Sequence, residues 1–361
     1  MAENGAGPYH FAPHKKNGPV PILMALLVTG GLGYIGSHAC VALAASGRKQ
    51  LVIVDNLSNA KRSALERIRE LAPGATIEFV RADVRDRATL DELLSTRRID
   101  SVLHFAGLKA VGESVRTPDA YHDNNVVGTQ VLLEAMGRHG VRRIVFSSSA
   151  TVYGKPEKLP YTEDHPLRPE NPYGENKLEI ERLLSAATAA DPDFCFAALR
   201  YFNPIGAHSS GRIGEDPRGV PDNLFPHLTQ VAIGKLPTLR VFGNDYPTPD
   251  GTGVRDYIHV MDLASGHAAA LQKLEECGGS ITVNLGTGHG HSVLEVIRAF
   301  ERATGIAIPY EIAPRRPGDI AAYWADPTLA ARELNCRSQL TLEEMCRDAW
   351  RWQSANPAGY P

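Results

Sequence analysis

The chain has 361 residues, of which 43% are hydrophobic and 22% charged, and this ordinary globular composition predicts about two domains. Its formal net charge of −3 provides no basic face, which argues against a nucleic-acid partner and favours a small charged ligand. The five cysteines form no CxxC pair, so we expect neither a metal site nor a disulfide framework.

The first 23 residues are rich in proline and glycine, and we expect a disordered tail there. The run from Val20 to Val28 is similar to the apolar part of a signal peptide. However, it lacks a small-residue cleavage site, and cleavage there would remove the first predicted strand. Since no stretch approaches the roughly 20 apolar residues of a membrane span, we expect a cytoplasmic protein without a membrane partner.

From Ala25 onward, short apolar runs alternate with helical stretches. Predicted strands cover residues 25–29, 50–54, 76–80, 101–105, 143–147 and 195–201. Predicted helices cover residues 37–46, 88–95, 125–139 and 178–190. This alternation predicts an α/β fold with a doubly wound parallel sheet, as in Rossmann-like nucleotide-binding domains.

The regular alternation ends near Asn203, after which Pro, Gly and Asp become frequent. We place the tail at residues 1–23, a nucleotide-binding domain at 24–203 and a smaller α/β substrate domain mainly at 204–361. Residues 254–263 and 282–286 have the pattern of strands that return to the first domain or line the cleft.

The first strand and helix enclose a G-x-G-x-x-G fingerprint from Gly31 to Gly36. Its glycines let the backbone approach a pyrophosphate, whose charge is stabilised by free N–H groups at the helix N-terminus. Asp55 ends the second strand, where a carboxylate accepts hydrogen bonds from ribose hydroxyls and repels a 2′-phosphate, so NAD is favoured over NADP. Lys61 and Arg62 follow closely and weaken that preference.

Asp83 ends the third predicted strand and is a candidate adenine contact. Three serines end the fifth strand at the carboxyl edge of the sheet, where open α/β folds bind their ligands. We assign Ser149 a hydrogen bond to a sugar oxygen and interpret Ser147 and Ser148 as residues that merely end the strand. Because no G-x-S-x-G sequence surrounds them, a serine hydrolase is not supported.

Tyr173 and Lys177 belong to a segment in which Asn171 is predicted to cap a helix that begins with Pro172. The two side chains then stand at i and i+4 on one helix face. A nearby ammonium group and a cationic nicotinamide ring would both favour the phenolate of Tyr173. Following a nucleotide fingerprint, this pair predicts a catalytic tyrosine and its lysine.

These features together identify the chain as similar to the extended short-chain dehydrogenase/reductases and, within them, to the UDP-glucose 4-epimerase family. The resemblance runs from about Leu26 to Pro361 and rests on the stretches TGGLGYIGSH, HFAGLKAVGESV, DNNVVGT, FSSSATVYG, NPYGENK, LRYFNPIGAH, FGNDYPTPDGTGVRDYIHV and AYWAD. It implies that UDP-glucose and UDP-galactose are interconverted by a homodimer through hydride transfer from sugar C4 to a tightly bound NAD that is regenerated in each cycle.

The resemblance also implies residue roles. Tyr173 is the base, Ser149 shares its hydrogen bond, and Lys177 holds the nicotinamide ribose. The implied NAD contacts are Gly30, Gly33, Tyr34, Ile35, Gly36, Asp55, Asn56, Asn59, Asp83, Val84, Phe105, Ala106, Gly107, Lys109, Asn124, Tyr173, Lys177 and Tyr201. The implied UDP-sugar contacts are Ser149, Asn203, Asn223, Phe242, Arg255, Arg316, Asp319 and Tyr323, of which Tyr323 would crowd an N-acetyl group.

Three other functions fit the sequence less well. A 4,6-dehydratase needs an acidic pair beside the serine, but Ala150, Thr151 and Val152 stand there. A net dehydrogenase or reductase would release its cofactor at each turnover. A binding protein without catalysis is disfavoured by the intact set of Ser149, Tyr173 and Lys177.

Overall fold

The computed structural model describes residues 24–219, 221, 223–316 and 318–361, so the expected tail at 1–23 lies outside the described residues. The strands in this part of the chain are β1 Ala25–Thr29, β2 Gln50–Asp55, β3 Thr76–Arg81, β4 Ile99–His104, β5 Arg143–Ser147, β6 Cys195–Tyr201, β7 Asn203–Ile205, β8 Leu239–Phe242, β9 Val254–His259, β10 Ile281–Leu285, β11 Gly290–Ser292, β12 Tyr310–Ala313 and β13 Ala322–Tyr323.

The α-helices in the same part of the chain are α1 Tyr34–Ala45, α2 Ser63–Leu71, α3 Arg87–Thr96, α4 Val111–Arg116, α5 Pro118–His122, α6 Gly128–Arg138, α7 Pro172–Ala190, α8 Leu224–Ala232, α9 Val260–Cys277, α10 Val293–Thr304, α11 Thr328–Glu333 and α12 Leu342–Ala355. A π turn at Asp123–Val127 leads into α6, and a 3₁₀ turn at Ala150–Val152 follows Ser149.

Seven strands form one parallel sheet in the order β10-β6-β5-β4-β1-β2-β3. The predicted doubly wound fold is therefore confirmed. The strand order reverses between β1 and β4, and in open α/β sheets ligands bind at the carboxyl ends of the strands at such a switch point. The fingerprint after β1 and the loop after β4 both lie there.

Helices cover both faces of this sheet, which is why its strands are apolar runs rather than alternating ones. On one face the core is formed with α1, α2 and α9, and on the other with α3, α6 and α7. A separate apolar cluster joins β8, α8, α10 and α12 beyond the sheet. None of the helices in the described part of the chain has the length and apolar character needed to cross a membrane.

The segment 254–263 is divided between a strand and a helix, which corrects the expectation of a strand throughout. β9 ends at His259, whose imidazole accepts a hydrogen bond from the Met261 N–H at 3.0 Å and so caps α9. β9 pairs with β7, β11 and β13 in a second sheet, whereas α9 packs against α1. β10, the strand expected at 282–286, pairs with β6 at the edge of the large sheet.

Two predicted helices have different ends in the structure. α1 begins at Tyr34, three residues before the predicted start, because the last fingerprint glycine is already helical. The predicted helix 125–139 is a π turn followed by α6. The predicted helices 88–95 and 178–190 lie within α3 and α7.

Candidate active site

The fingerprint forms a backbone cradle that only glycine fits. Gly30 has a φ of +68°, and a Cβ there would lie 2.6 Å from the backbone nitrogen of Ala106. A Cβ on Gly36 would press on the Gly30 carbonyl oxygen and lie 2.8 Å from the Gly31 Cα. Gly33 is the N-cap of α1, and no described side chain caps that end or places a negative charge in its first turn. This cradle fits a pyrophosphate group.

Asp55 joins the end of β2 to the fingerprint. Its buried carboxylate accepts hydrogen bonds from the backbone N–H groups of Leu57 at 2.8 Å and Leu32 at 3.1 Å. Burial raises the pKa of Asp55, while these two hydrogen bonds lower it. The carboxylate thus lies beside the cradle, where the ribose of an NAD molecule would follow the pyrophosphate.

The two cations that weakened the preference for NAD are both engaged elsewhere. The Lys61 ammonium lies 2.8 Å from the Asp216 carboxylate and donates to the Tyr360 carbonyl at 3.0 Å. The Arg62 guanidinium lies 5.9 Å from the centroid of the Phe79 ring. Because both cations have protein partners, neither is held in place to bind a 2′-phosphate. The structure therefore fits NAD.

Asp83 and Asn56 form the next part of the same edge. The Asn56 amide donates to the Asp83 carboxylate at 2.9 Å. Hydrogen bonds from the Arg85 side chain hold the pKa of Asp83 well below its usual range. Val84 is buried against Gly128 at the start of α6, whereas Asn59 is exposed in the loop after β2.

The loop after β4 lies directly against the cradle. Phe105, Ala106 and Gly107 follow His104, and Ala106 makes the close approach to Gly30 described above. Asn125 holds this loop, because its amide accepts from the Leu108 N–H at 2.7 Å and donates to the Leu108 carbonyl at 3.0 Å. Asn124, the residue predicted from resemblance, lies half-buried in the π turn beside it.

Two further predicted cofactor residues, Tyr34 and Lys109, contact the loop after β7. The Tyr34 hydroxyl donates to the Gly206 carbonyl at 2.7 Å, and Ile35 is half-buried next to it in α1. The Lys109 ammonium lies 3.0 Å from the Glu215 carboxylate. Glu215 thus holds a lysine that the resemblance implies as an NAD contact, a partnership that the sequence did not predict.

α7 places Tyr173 and Lys177 on one buried face, as predicted. The Asn171 side chain accepts from the Gly174 N–H at 2.9 Å and Pro172 begins the helix, so the predicted cap is confirmed. The Lys177 ammonium donates to the Ser147 carbonyl at 2.7 Å and lies 5.7 Å from the centroid of the Tyr173 ring. Both side chains are 6% exposed.

Burial sets the protonation of this pair. It raises the pKa of the Tyr173 phenol well above its usual value, Tyr201 raises it further, and a hydrogen bond with Ser149 lowers it. Burial also lowers the pKa of Lys177 to about 8, against the attraction of Glu181. Without a further cation the phenol is therefore protonated at neutral pH, and a cationic group beside it would favour the phenolate.

Ser149 and Tyr201 complete the group around Tyr173. The Ser149 hydroxyl accepts from the backbone N–H of Thr151 at 3.2 Å and from its hydroxyl at 3.0 Å. The Tyr201 hydroxyl accepts from the Ser147 hydroxyl at 3.1 Å. All three catalytic candidates thus meet at the carboxyl ends of β5 and β6, beside the loop after β4.

The second sheet brings together one cluster of predicted substrate residues. The register of β13 on β9 places Tyr323 opposite Arg255, whose guanidinium lies 4.6 Å from the centroid of the tyrosine ring. The Tyr323 hydroxyl donates to the Asn203 side-chain oxygen at 3.2 Å. Asn203 stands two residues after Tyr201 in the chain, so this cluster lies next to the catalytic group.

A second cluster lies at the end of β8. The Arg316 guanidinium lies 4.8 Å from the centroid of the Phe242 ring and 3.0 Å from the Asp319 carboxylate. Tyr246 lies near enough to charged residues of both clusters to be affected by them. Burial raises the pKa of the Tyr246 phenol and Asp319 raises it further, whereas Arg315, Arg255 and Arg316 lower it.

Asn223 lies apart, exposed at the N-terminal end of α8. Sequence reasoning gave no role to Tyr246, although its position between two predicted substrate residues, Phe242 and Arg255, was a usable signal. Among the described residues, no group of three His, Cys, Asp or Glu side chains is placed to hold a metal ion.

Ser148 corrects another expectation. Its hydroxyl donates to the Glu181 carboxylate at 2.5 Å, so it does more than end a strand. Glu181 in turn forms a buried ion pair with Arg200. Sequence reasoning missed this pair, although Glu181 stands four residues after Lys177 and eight after Tyr173 on the same helix face.

A sequence model of the family described as GDP-mannose 4,6 dehydratase matches residues 27–349. The chain is 57% identical over 337 residues to the UDP-glucose 4-epimerase of Bacillus subtilis (strain 168), covering 93% of this chain and 99% of that one. It is 55% identical over 339 residues to the UDP-glucose 4-epimerase of Yersinia pestis, covering 94% of this chain and all of that one (100%).

Solved structures agree with these relatives. The UDP-glucose 4-epimerase of Stenotrophomonas maltophila with bound NAD and formylated UDP-arabinopyranose matches with a TM-score of 0.90 at 53% identity, covering 93% of this chain and 99% of that one. The Bifidobacterium longum enzyme in complex with NAD+ and UDP matches with a TM-score of 0.90 at 50% identity, covering 93% of this chain and 100% of that one. The chain therefore belongs to the family that the GDP-mannose 4,6 dehydratase model describes and, within it, to the NAD-dependent UDP-glucose 4-epimerases.

Proposed function

We propose that this chain interconverts UDP-glucose and UDP-galactose at sugar C4, with Tyr173 as the base. The observation that carries the proposal is the buried group of Tyr173, Lys177 and Ser149 beside the glycine cradle. It is supported by two similar solved epimerases, one with bound NAD and formylated UDP-arabinopyranose and one in complex with NAD+ and UDP. Tyr323, Arg255 and Asn203 contact one another in the second sheet, and Asn203 follows Tyr201 by two residues, so the nucleotide sugar would extend from the catalytic group toward them.

In this proposal, Tyr173 removes the proton of the 4-hydroxyl and returns it later, while Ser149 hydrogen-bonds to the same oxygen. Lys177 remains a cation, which favours the phenolate and lies within reach of a nicotinamide ribose. Bound NAD, held by the cradle and Asp55, would supply a hydride acceptor and donor for C4. Because this cofactor would be restored in each cycle, no second substrate has to enter or leave the site.

The 4-keto sugar must turn between the two proton transfers, so the sugar contacts have to be loose and the UDP contacts firm. Arg255 and Arg316 suit the firm contacts, because guanidinium groups pair bidentately with phosphate oxygens. Phe242 and Asn203 provide further contacts remote from C4. Binding energy from this unreacting part of the substrate then holds the complex while the sugar rotates.

A 4,6-dehydratase fits the geometry less well, even though the family model carries that description. Dehydration requires a positioned acid and base beside the serine. The 3₁₀ turn that follows Ser149 consists of Ala150, Thr151 and Val152, which carry no carboxylate. The residues that follow Ser149 therefore favour epimerisation over dehydration.

We also propose a cytoplasmic homodimer. α4 exposes Val111 and Val115, which stand one turn apart on a single helix face. The five cysteines are all unpaired, as expected in a reducing compartment. Light scattering at several protein concentrations tests the dimer, and a monomer at every concentration would contradict it.

The proposed activity is tested by incubating the purified protein with UDP-galactose and no added cofactor, and measuring UDP-glucose over time. Many turnovers per chain are expected, because a retained cofactor is restored in each cycle. Accumulation of NADH and a 4-keto sugar without UDP-glucose would instead indicate a net dehydrogenase.

Replacing Tyr323 with cysteine is expected to create measurable activity on UDP-N-acetylglucosamine. The Tyr323 ring lies between the Arg255 guanidinium and the rings of Tyr161 and Phe202, at 6.5 and 6.0 Å between ring centroids. Its removal vacates space that an N-acetyl group requires. The measurement is kcat/KM on UDP-N-acetylglucosamine and UDP-glucose for both proteins.

Tyr310→Cys is the matched control for this experiment, because Tyr310 is exposed on β12, in the two-stranded β8/β12 sheet rather than the sheet that holds Tyr323. It should leave the ratio of the two kcat/KM values unchanged. Unchanged specificity in Tyr323→Cys, with activity on UDP-glucose retained, would show that this phenol does not control the sugar range.

A further inference from the structure

The catalytic helix carries a buried carboxylate in addition to Tyr173 and Lys177. Glu181 is 6% exposed and follows them at the spacing that keeps all three on one face of α7. Its Oε1 accepts hydrogen bonds from the Ser148 hydroxyl at 2.5 Å and from Arg200 Nε at 3.0 Å. Its Oε2 accepts from Arg200 Nη2 at 2.6 Å. The carboxylate thus joins α7 to the ends of β5 and β6.

Arg200 extends this connection to the far side of Ser149. Its Nη1 donates to the Tyr153 hydroxyl at 3.1 Å and to the Glu163 carbonyl at 3.2 Å. The Tyr153 hydroxyl donates to the Asn284 side chain of β10 at 2.6 Å. The segment 148–153, which contains Ser149, is therefore held at its first residue by Glu181 and at its last by Arg200.

We propose that the buried Glu181–Arg200 ion pair is the positioning element of this active site, fixing the Ser149 hydroxyl relative to Tyr173 and Lys177. This inference rests on the proposed roles of those three residues. A buried ion pair is a weak source of fold stability, since desolvation offsets the attraction between its charges. Its placement between the serine segment and the catalytic helix is what gives it a function.

The Glu181 carboxylate also affects the protonation of Lys177. The groups around the Lys177 ammonium are Tyr173 and Glu181 on α7, the Ser147 carbonyl and Phe146 ring on β5, and His104 on β4. Burial, together with Lys177, lowers the pKa of His104 to about 3, so this imidazole stays neutral at working pH. Glu181 opposes the effect of burial on Lys177 and helps to keep it protonated.

The test compares Glu181→Gln with wild type, both isolated with their cofactor, as profiles of kcat and KM for UDP-galactose against pH. We expect kcat to fall about tenfold, because a small misplacement of reacting groups has an effect of at least this order. KM should stay within about twofold, since the UDP contacts lie elsewhere. The alkaline limb of the kcat profile should move to lower pH, because Lys177 loses a neighbouring negative charge.

Glu134→Gln is the matched control, since Glu134 on α6 forms an exposed ion pair with Arg87 on α3, away from Ser149, Tyr173 and Lys177. It removes the same charge and should change neither kcat nor the profile. A purely structural role for Glu181 would lower the melting temperature without moving the alkaline limb. That result would overturn the proposal, and so would a wild-type kcat in Glu181→Gln. A wild-type kcat would still leave the proposed epimerase function intact.

Two further variants keep the test decisive if Glu181→Gln does not fold. Ser148→Ala removes only the neutral hydroxyl, so kcat should fall about threefold while the alkaline limb stays in place. The double variant Glu181→Leu with Arg200→Met replaces both charges by apolar groups and should fold. A wild-type kcat in either variant would overturn the proposal.

Discussion

Replacing Tyr173 with phenylalanine is expected to lower kcat by about 10³-fold while UDP and NAD binding change little. The substitution removes only the hydroxyl, which general acid–base catalysis uses for a factor of about 10² to 10⁴. The ring remains to fill its buried position between α7 and the sheet. The measurement is kcat with UDP-galactose, together with the NAD content of the purified variant and its Kd for UDP.

Tyr310→Phe is the matched control, because it removes the hydroxyl of an exposed tyrosine on β12 and should leave kcat unchanged. Wild-type turnover in Tyr173→Phe would show that another group removes the 4-hydroxyl proton. Joint loss of turnover and of NAD would instead show that Tyr173 supports the binding site rather than the chemistry.

Replacing Gly36 with alanine is expected to give a protein that is purified largely without NAD. The new Cβ would press on the Gly30 carbonyl and the Gly31 Cα, and both are backbone atoms that cannot rotate away. Relief therefore requires the cradle to open, and overpacking of this kind costs about 1–3 kcal/mol of stability. The measurement is the amount of NAD released per chain on denaturation, alongside thermal unfolding.

Gly137→Ala is the control for this substitution, because a Cβ at Gly137 in α6 meets nothing within 4 Å. It should leave NAD content unchanged and raise the free energy of unfolding by about 0.5–1 kcal/mol, since alanine favours the helix. A full complement of NAD in Gly36→Ala would mean that the cradle does not hold the pyrophosphate.

Much of the large sheet could be predicted because its strands are buried on both faces and read as apolar runs. β1, β5 and β6 have the predicted bounds, and the Asn171 cap of α7 follows from local chemistry. The cradle was also predictable, since the close approach of neighbouring backbone atoms requires glycine at these positions. These features depend on short stretches of sequence.

Features that depend on distant partners could not be predicted from the pattern alone. The sequence predicts a strand where α9 begins at Val260, because the first residues of this helix continue the apolar run of β9. The place of Tyr323 beside Arg255 follows from the register of β13 on β9, which joins segments nearly 70 residues apart. The partnership of Ser148 with Glu181 likewise appears only when β5 and α7 pack together.

The central claim is that C4 of the sugar is oxidised and then reduced within one closed site, and the fate of the hydrogen on C4 tests it most directly. UDP-galactose labelled with deuterium at C4 is converted in ordinary water, and the UDP-glucose formed is examined by mass spectrometry and NMR. The account predicts that the deuterium stays at C4 through many turnovers. Loss of the label to solvent, or its appearance at another position, would contradict the account.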